Sequence, residues 1–379
     1  MTEEQLLAAP GARVAANGTN MNPPMTRRDA LKTVAAVAVA PFAGSLAAER
    51  AAKVRIGQIG TSHAHAAGKM EAVRSLTDLY EVVGIAEPIA GRQVSAEKQK
   101  AYAGLRWLTE ESLLSDKSVK AVVVETTLGD SARAALACLS AGKHIHLDKP
   151  GADAHSNFKA LRMEAERRRL TVQMGYMLRY NPAFQLLFRA HREGWIGQIT
   201  EISASMGKLA DARLQAEMAG IPGHGMFELG CHLVDAVVFL LGVPSAVHAF
   251  GKPTGLARAG LPDNQVAVLE YPKATVTLRC NHGDPFGGPH RRFHVVGTKG
   301  AMEIQPLESG RGVLFLTEAQ GGFKKGENRL ALEVPPGRYT GEFVDFTRVL
   351  RGEKHLAWSA EHDIAVHATA LRCAGLTPL

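Results

Sequence analysis

One stretch of the chain, GHGMFELGCHLVDAVVFLLG, spaces two carboxylates and an imidazole at helical intervals. If residues 227–241 form one helix, Glu228, His232 and Asp235 fall at positions i, i+4 and i+7 and share one face. An imidazole oriented by a carboxylate can exchange protons near neutral pH. The spacing therefore predicts that His232 is a general base; a histidine that only packs in the structure is the alternative.

A second stretch, HIHLDKPG, ends a predicted strand and contains Lys149. In open α/β sheets, ligands bind at the edge formed by the carboxyl ends of the strands. An ammonium group there can donate a hydrogen bond to a substrate hydroxyl and lower the pKa of that hydroxyl. We predict a catalytic role for Lys149, and the alternative is a solvated loop lysine.

A third stretch, GQIGTSHAHAAG, ends the first predicted strand and opens a helix. Dinucleotide-binding folds place glycines in this turn so that the pyrophosphate can approach the backbone at the helix N-terminus. Gly60 occupies the first position of GxGxxG, whereas Ser62 and His65 occupy the second and third. The strand–turn–helix context still favours phosphate binding over an ordinary turn. The residues of this turn that are predicted to bind the cofactor are Gly60, Thr61, Ser62 and His63.

Glu87 follows the second predicted strand, where an acid accepts hydrogen bonds from the 2′-OH of the adenosine ribose. A carboxylate at this place disfavours the 2′-phosphate of NADP, so NAD is the predicted cofactor. Arg92 lies close enough along the chain to keep NADP as an alternative. Without a cofactor, Glu87 would be a helix-capping acid.

The elements that position these residues divide into two halves. The segments VRIGQI, YEVVGIA, VKAVVVE and KHIHL alternate with helical patterns, which predicts a Rossmann-like α/β domain with a parallel sheet over residues 51–172. In residues 173–379, strand patterns such as QVAVLEY and ATVTLRC follow one another with turns between them. They predict an α+β domain with a mostly antiparallel open sheet and C-terminal helices, used for substrate binding and oligomerisation.

Residues 1–50 have the features of an export leader. Arg27 and Arg28 precede an apolar run, 33–43, and a small-x-small cleavage pattern at 45–47. The run is shorter than the roughly 20 residues that span a bilayer, so no stable membrane span is expected. The segment TRRDALK resembles a twin-arginine signal, which predicts export of the folded protein to the periplasm. An amphipathic or disordered N-terminus is the alternative.

Composition excludes some partners and sites. The 379 residues carry a net charge of +7 without a dense stripe of lysine and arginine, so nucleic acid is not an expected partner. The length suggests two domains, and 46% hydrophobic with 21% charged residues is typical of a globular protein. The four cysteines are far apart and show no CxxC spacing, which argues against a zinc cage and favours buried free thiols.

Four segments together resemble a known family. AGKHIHLDKPGA, MGYMLRYNPAF, FELGCHLVD and HVVGTKGAMEI are similar to motif segments of the Gfo/Idh/MocA oxidoreductases, and the likeness extends from Lys53 to the C-terminus. The chain departs from the family pattern in two further places besides the depleted glycine turn. Glu228 stands where the family has an aspartate, and residues 126–128 read TTL where the family has TPN.

The resemblance implies a nicotinamide cofactor and hydride transfer to or from a carbon of a sugar or polyol. It implies that Lys149 touches both cofactor and substrate and that His232 is the acid/base. The remaining residues that it implies are Glu228 for catalysis, Thr126 for cofactor binding, and Tyr176, Arg179 and Asp235 for substrate binding.

Export in the folded state predicts a tightly bound cofactor. A protein that folds first can carry its dinucleotide out of the cytoplasm, which requires a Kd on the order of nanomolar, about −12 kcal/mol. A retained cofactor must be reset in every cycle. Either one substrate is oxidised and a second reduced, or a glycoside is transiently oxidised, cleaved by elimination and reduced again. The expected partners are a carbohydrate and, because open antiparallel sheets often pair, a second copy of the chain.

Two other classes of function stay open. The pairs His63-x-His65 and His144-x-His146 could chelate zinc in a metal-dependent hydrolase. Further matched ligands are not evident in the sequence, so no metal is predicted. A non-catalytic sugar-binding or sensor protein on the same fold is the other alternative.

Overall fold

The computed structural model describes residues 52–256 and 260–379. The predicted leader, residues 1–50, lies outside the described residues. Among the helices that are described, none combines the length and the apolar character that crossing a membrane requires.

The first half of the described chain forms a parallel sheet. Its six strands are β1 (Val54–Ile59), β2 (Tyr80–Ala86), β3 (Trp107–Leu108), β4 (Ala121–Val124), β5 (His144–Leu147) and β6 (Val172–Met174). The four apolar residues of β4 are all buried, as expected for a sheet that helices cover on both faces. The strand order β3-β2-β1-β4-β5-β6 reverses at β1, which β2 and β4 flank on opposite sides. At such a reversal, a crevice for ligands opens at the carboxyl ends of the strands.

Five helices connect these strands. They are α1 (Ala66–Ser75), α2 (Arg92–Ala96), α3 (Glu110–Ser115), α4 (Leu128–Ser140) and α5 (His155–Arg168). The start of α3 is fixed by Thr109, whose side-chain oxygen accepts a hydrogen bond from the Ser112 amide. Helix α4 buries Ala134, Ala135 and Cys138, which lie on one face, against the sheet.

The second half forms a sheet of eight strands in the order β14-β13-β12-β11-β7-β10-β9-β8. The strands are β7 (Ile199–Gly207), β8 (Ala246–Lys252), β9 (Asn264–Glu270), β10 (Thr275–Asn281), β11 (Arg292–Gly297), β12 (Gly300–Ile304), β13 (Arg311–Leu316) and β14 (Gly326–Ala331). Every neighbouring pair is antiparallel except β7 and β10. Exposed and buried residues alternate along β10, so one face of this sheet packs on the core. The predicted fold class is confirmed, although β13 and β14 were not predicted.

The helices of the second half are α6 (Pro182–Arg192), α7 (Ala212–Ala219), α8 (His224–Glu228), α9 (Cys231–Leu241), α10 (Gly287–His290), α11 (Thr340–Leu350) and α12 (Ala360–Cys373). Helix α11 returns to the first half, where Phe343 and Phe346 pack in one core cluster with residues of β1 and β4. The Tyr80 hydroxyl donates a hydrogen bond of 2.6 Å to the Phe343 carbonyl and fixes this contact. The predicted domain boundary at 172/173 falls inside β6, and α11 adds a late segment to the core of the first sheet. All four cysteines are free and buried, as predicted.

Candidate functional site

A groove of about 370 Å³, here called the edge groove, opens at the carboxyl edge of the first sheet. The loops that follow β1, β4 and β5 supply one wall, and α7 and α8 of the second half supply the other. Among its lining residues are Ser62, His63, Thr126, Lys149, Leu214 and Glu228. The fold therefore brings together, in one groove, residues predicted from three separate stretches of the sequence.

The turn after β1 has one position that requires glycine. Gly60 has a φ of +85°, and a Cβ there would lie 2.8 Å from both the Glu125 carbonyl oxygen and the Thr126 Cα. Ser62 follows in this turn, and its buried hydroxyl has no hydrogen-bond partner among the described residues. An unpartnered hydroxyl beside a helix N-terminus is a donor available to a phosphate group.

Glu87 holds the same turn from the end of β2. One carboxylate oxygen accepts hydrogen bonds from the Thr61 amide at 2.7 Å and the Thr61 hydroxyl at 2.6 Å. The other accepts from the Ile89 amide at 2.9 Å. Arg92 donates to the Ser62 carbonyl at 3.0 Å. The carboxylate thus lies next to the glycine turn, where the sequence placed a ribose-binding acid, and the guanidinium lies beside it.

Behind the groove lies a buried ion cluster that the sequence analysis missed. The Lys69 ammonium, from α1, lies 2.6 Å from Asp148 and 3.0 Å from Glu125, and none of its side chain is exposed. Burial alone would lower the pKa of Lys69, but Asp148 and Glu125 raise it, so the lysine stays charged. Burial raises the pKa of Glu125 well above its usual value. A signal was present in the sequence, because Glu125 and Asp148 end neighbouring parallel strands.

His63 and His65 converge on this cluster. The Nδ1 atom of each lies 3.0 Å from one oxygen of Asp148, and the three residues are spaced closely enough to hold a metal ion. Lys69 contacts the same oxygen at 2.6 Å, so its ammonium already supplies positive charge at this point. Burial lowers the pKa of His65 to about 3, which keeps its imidazole neutral at neutral pH.

The other histidine pair considered for metal binding does not converge. His144 Nδ1 accepts a hydrogen bond from the Thr171 amide at 3.0 Å. His146 Nε2 lies 2.8 Å from a carboxylate oxygen of Glu342, on α11. The two pairs therefore do not form a joint ligand set.

Lys149 and Glu228 form an ion pair where the two halves meet. The Lys149 ammonium lies 3.0 Å from the Glu228 carboxylate and donates to the Glu228 carbonyl at 2.7 Å. Burial alone would lower the pKa of Lys149, but Glu228 raises it. Burial alone would raise the pKa of Glu228, but Lys149 holds it well below its usual value. Both groups are charged, so the lysine is a hydrogen-bond donor rather than a base.

The prediction of one continuous helix over residues 227–241 is wrong. The chain forms α8 up to Glu228 and α9 from Cys231, with a break at Leu229 and Gly230. A Cβ at Gly230 would lie 2.6 Å from the Met226 carbonyl oxygen, so only glycine allows this close approach. The break separates Glu228 from His232 and Asp235, which both stay on α9. The two carboxylates contact different cations, Lys149 and Arg179.

His232 lies at the start of α9, with 1% of its surface exposed. Its ring packs edge-on against Tyr176, with 5.7 Å between ring centroids, and its Nδ1 has no hydrogen-bond partner among the described residues. Burial lowers the pKa of His232 well below its usual value, and the charge of Lys149 lowers it further. A neutral imidazole with a free ring nitrogen is able to accept a proton.

Arg179 and Asp235, predicted to bind substrate, contact each other in the protein interior. Arg179 donates to Asp235 at 2.7 Å and to Asp363, on α12, at 2.6 Å. Its guanidinium lies 4.7 Å from the ring centroids of both Tyr176 and Trp358. Arg179 therefore stacks on the ring of Tyr176, and it is Tyr176 that contacts His232. The direct contact of these residues with substrate stays a prediction.

Two family models match the chain. An oxidoreductase family model with an NAD-binding Rossmann fold matches residues 54–176, and a GFO/IDH/MocA C-terminal domain model matches residues 184–303. Together they span more than half of the chain and include strands of both sheets.

Two curated relatives are about a quarter identical to the chain over the residues that match. Inositol 2-dehydrogenase of Salmonella typhimurium is 28% identical over 269 residues, which cover 69% of this chain and 75% of that protein. The scyllo-inositol 2-dehydrogenase (NADP(+)) of Bacillus subtilis is 25% identical over 187 residues, 48% of this chain and 52% of that protein. The chain thus matches only about half the length of the second relative.

Solved structures with the same fold cover nearly all of the described chain. Levoglucosan dehydrogenase, in complex with NADH and levoglucosan, matches with a TM-score of 0.72 at 17% identity, over 86% of this chain and 98% of that chain. UDP-N-acetylglucosamine 3-dehydrogenase from Acidithiobacillus ferrooxidans matches with a TM-score of 0.71 at 18% identity, over 86% and 98%. At these identities the likeness establishes the fold.

Proposed function

Because the chain belongs to the GFO/IDH/MocA oxidoreductase family, we propose that it is an exported NAD(P)-dependent enzyme. It would transfer a hydride to or from a carbon of a sugar, polyol or glycoside. The observation that carries this proposal is the ion pair of Lys149 and Glu228 in the lining of a groove at the carboxyl edge of the sheet, with the buried His232 close enough for the charge of Lys149 to lower its pKa. Two of the relatives are named as dehydrogenases of inositols.

Residues of the edge groove, together with the glycine turn and Glu87 beside it, fit a nicotinamide dinucleotide. Gly60 permits close approach to the backbone, and the unpartnered Ser62 hydroxyl can donate to a phosphate oxygen. Glu87 and Thr126 would contact the riboses, and the carboxylate of Glu87 favours NAD over NADP. When bound, the nicotinamide ring supplies the hydride acceptor or donor.

Side chains of the protein would transfer the proton of the reacting hydroxyl. The charged Lys149 ammonium would donate a hydrogen bond to the reacting hydroxyl and stabilise negative charge on its oxygen. The neutral His232 would take the hydroxyl proton during oxidation and return it during reduction. Glu228 keeps the ammonium in place and charged, and Tyr176 covers one edge of the imidazole.

A redox-neutral cleavage of glycosides is the second candidate, and one observation favours it. Leu214 and Glu217, of α7, line the edge groove opposite the glycine turn, as do Gly220 and Ile221 that follow this helix. A groove covered from the second half would retain its cofactor between cycles. Retention suits a transient oxidation in which the same hydride is returned after elimination.

We also propose that the chain is exported by the twin-arginine pathway to the periplasm and that it forms a homo-oligomer. Arg27 and Arg28, with the apolar run after them, support the first proposal. The exposed polar side chains of β10, Thr275, Thr277 and Arg279, lie on the open face of the second sheet and support the second.

The test begins with protein purified without added nucleotide. Denaturation would release the cofactor, which mass spectrometry would identify as NAD or NADP, and a panel of sugars, inositols and glycosides would be screened for oxidised or cleaved products. Lys149→Met and His232→Ala are each expected to reduce kcat/KM by about 10²–10⁴-fold. Lys159→Met, at an exposed lysine of α5, is the matched control. Protein that neither contains nor binds a nicotinamide nucleotide would contradict the proposal. Activity that needs added zinc would support the metal-dependent hydrolase instead.

A further inference from the structure

A second cavity, of about 660 Å³, lies beside the edge groove and is here called the side cavity. Its lining comes from the segment after β6, from the loop before α11 and from the loops near β7 and β11. Lys208 lines both cavities, so the two spaces meet at this side chain. The loop before α11 also carries Tyr339, whose ring lies 5.4 Å from that of His65. The side cavity is therefore the space next to the proposed reaction centre.

The charged side chains that line the side cavity are three cations and one carboxylate. Arg291, 11% exposed, pairs with that carboxylate, Glu308, and its Nε donates to the Gly207 carbonyl at 3.1 Å. This pair is neutral and its hydrogen bonds are made. The remaining cations are Lys208 and Arg338.

Neither of the remaining cations has a close anion of its own. The Lys208 ammonium lies 3.6 Å from Glu228, which is already paired with Lys149 at 3.0 Å. The Arg338 guanidinium faces the Met177 sulfur at 2.7 Å, and its nearest carboxylate among the described residues is Glu308 at 3.9 Å. A thioether is a weak acceptor for a guanidinium donor. The cavity therefore carries two positive charges beyond what its carboxylate balances.

We propose that the substrate is an acidic carbohydrate whose carboxylate or phosphate group is bound by Lys208 and Arg338. The proposal rests on the proposed sugar oxidoreductase function and names its substrate class. A guanidinium and an ammonium that line the same cavity match an anionic group through charge-assisted hydrogen bonds. The side chains of Lys208 and Arg338 are 31% and 44% exposed, so both cations are accessible to an anionic group of a ligand. A neutral sugar would gain no charge-assisted hydrogen bond from this pair. Arg338 also lies close enough to the proposed base for its charge to contribute to the lowered pKa of His232.

The experiment measures binding to the nucleotide-loaded protein by isothermal titration calorimetry. The probes are glucuronate and galacturonate for a carboxylate, glucose 6-phosphate for a phosphate, and glucose and galactose as neutral parents. We expect at least one acid to bind about tenfold or more tightly than its neutral parent, with an affinity that falls as salt is added. The acid that binds more tightly, a uronate or glucose 6-phosphate, identifies the preferred anionic group as carboxylate or phosphate.

Variants assign the effect to the two side chains. Lys208→Gln and Arg338→Gln should each weaken binding of the acid by roughly 10- to 100-fold, while binding of the neutral parent changes little. Arg329→Gln is the matched control, because Arg329 lies on β14 with 87% of its side chain exposed and pairs only with Glu327. Arg338→Lys should restore part of the affinity, since it keeps the charge.

Failure of this inference can be told from failure of the proposed function. If neutral sugars bind as tightly as the acids, if no acid binds, or if the glutamine variants weaken both classes equally, the acidic-substrate proposal is overturned. Lys149-dependent turnover of a neutral sugar in the same preparation would leave the oxidoreductase proposal standing. Absence of nicotinamide binding would refute the function itself, whatever the binding of acids shows.

Discussion

Replacing Lys149 with methionine tests the ion pair that organises the site. The side chain is 1% exposed, and its ammonium is the closest cation to the Glu228 carboxylate, which is 14% exposed. In the variant, that carboxylate keeps only Lys208 at 3.6 Å and His282 at 3.7 Å. Removing one partner of a buried pair costs roughly 3–5 kcal/mol. Because Glu228 keeps these longer contacts, we expect a loss of about 3 kcal/mol in the free energy of unfolding.

The same substitution should reduce kcat/KM by about 10²–10⁴-fold, the usual contribution of a positioned proton-handling group. The two effects are separated by a double variant, Lys149→Met with Glu228→Gln. It removes the unpaired charge, so about 1–2 kcal/mol of stability should return, a coupling typical of groups in contact. Turnover should not return, because the ammonium is still absent.

Urea unfolding measures the free energies of unfolding of the single and double variants, with Lys159→Met as the control. Turnover of the best sugar from the substrate screen measures the change in kcat/KM. A single variant that loses less than about 1 kcal/mol would show that the pair does not bear on stability. A double variant that regains turnover would refute the assignment of the ammonium to catalysis.

Three further predictions follow from the geometry. The pKa of His65 is lowered from 6.5 to about 3, so the unfolded chain takes up a proton at higher pH than the folded chain, and the free energy of unfolding falls as the pH drops below 6.5. Between about pH 7.5 and pH 5 the loss is about 2 kcal/mol, and His65→Gln should remove this pH dependence in urea titrations. Asp235→Asn should destabilise the fold by about 2 kcal/mol, because Arg179 loses one charged acceptor and keeps Asp363, with kcat changed less than tenfold. A raised KM at unchanged stability would instead support direct substrate binding. Gly60→Ala should weaken nucleotide binding about tenfold or more in fluorescence titrations, since its Cβ would strain the turn.

Segments with one strong local pattern were predictable. Tyr80–Ala86 forms a strand over the predicted residues, because continuous apolar runs with β-branched residues have few alternatives in a parallel sheet. Helix α7 was missed for the opposite reason. Among the eight residues of α7 only Met218 is buried, so the helix shows little of the apolar face that sequence periodicity detects.

Some residues of the candidate site carry a signal in the sequence, whereas their contacts do not. Lys149, Glu228 and the glycine turn carry signals in their own segments, whereas the partners of Lys69 and Arg179 lie far away along the chain. Lys69 in AAGKMEAV has the sequence context of a solvated helical lysine. Its burial depends on carboxylates that arrive from β4 and β5, and only the tertiary fold brings these together.

The loss of two glycines from the turn has a physical compensation in the same cluster. In a dinucleotide fold the third glycine lets the helix pack closely on the sheet. His65 stands at this position without a left-handed φ, since Arg169 and His224 are the non-glycine residues with positive φ in the described chain. Its ring fills the space at the helix start, held by Asp148 at 3.0 Å and packed against Tyr339. Burial of this ring therefore fills the space at the helix start, and the same burial lowers the pKa of His65.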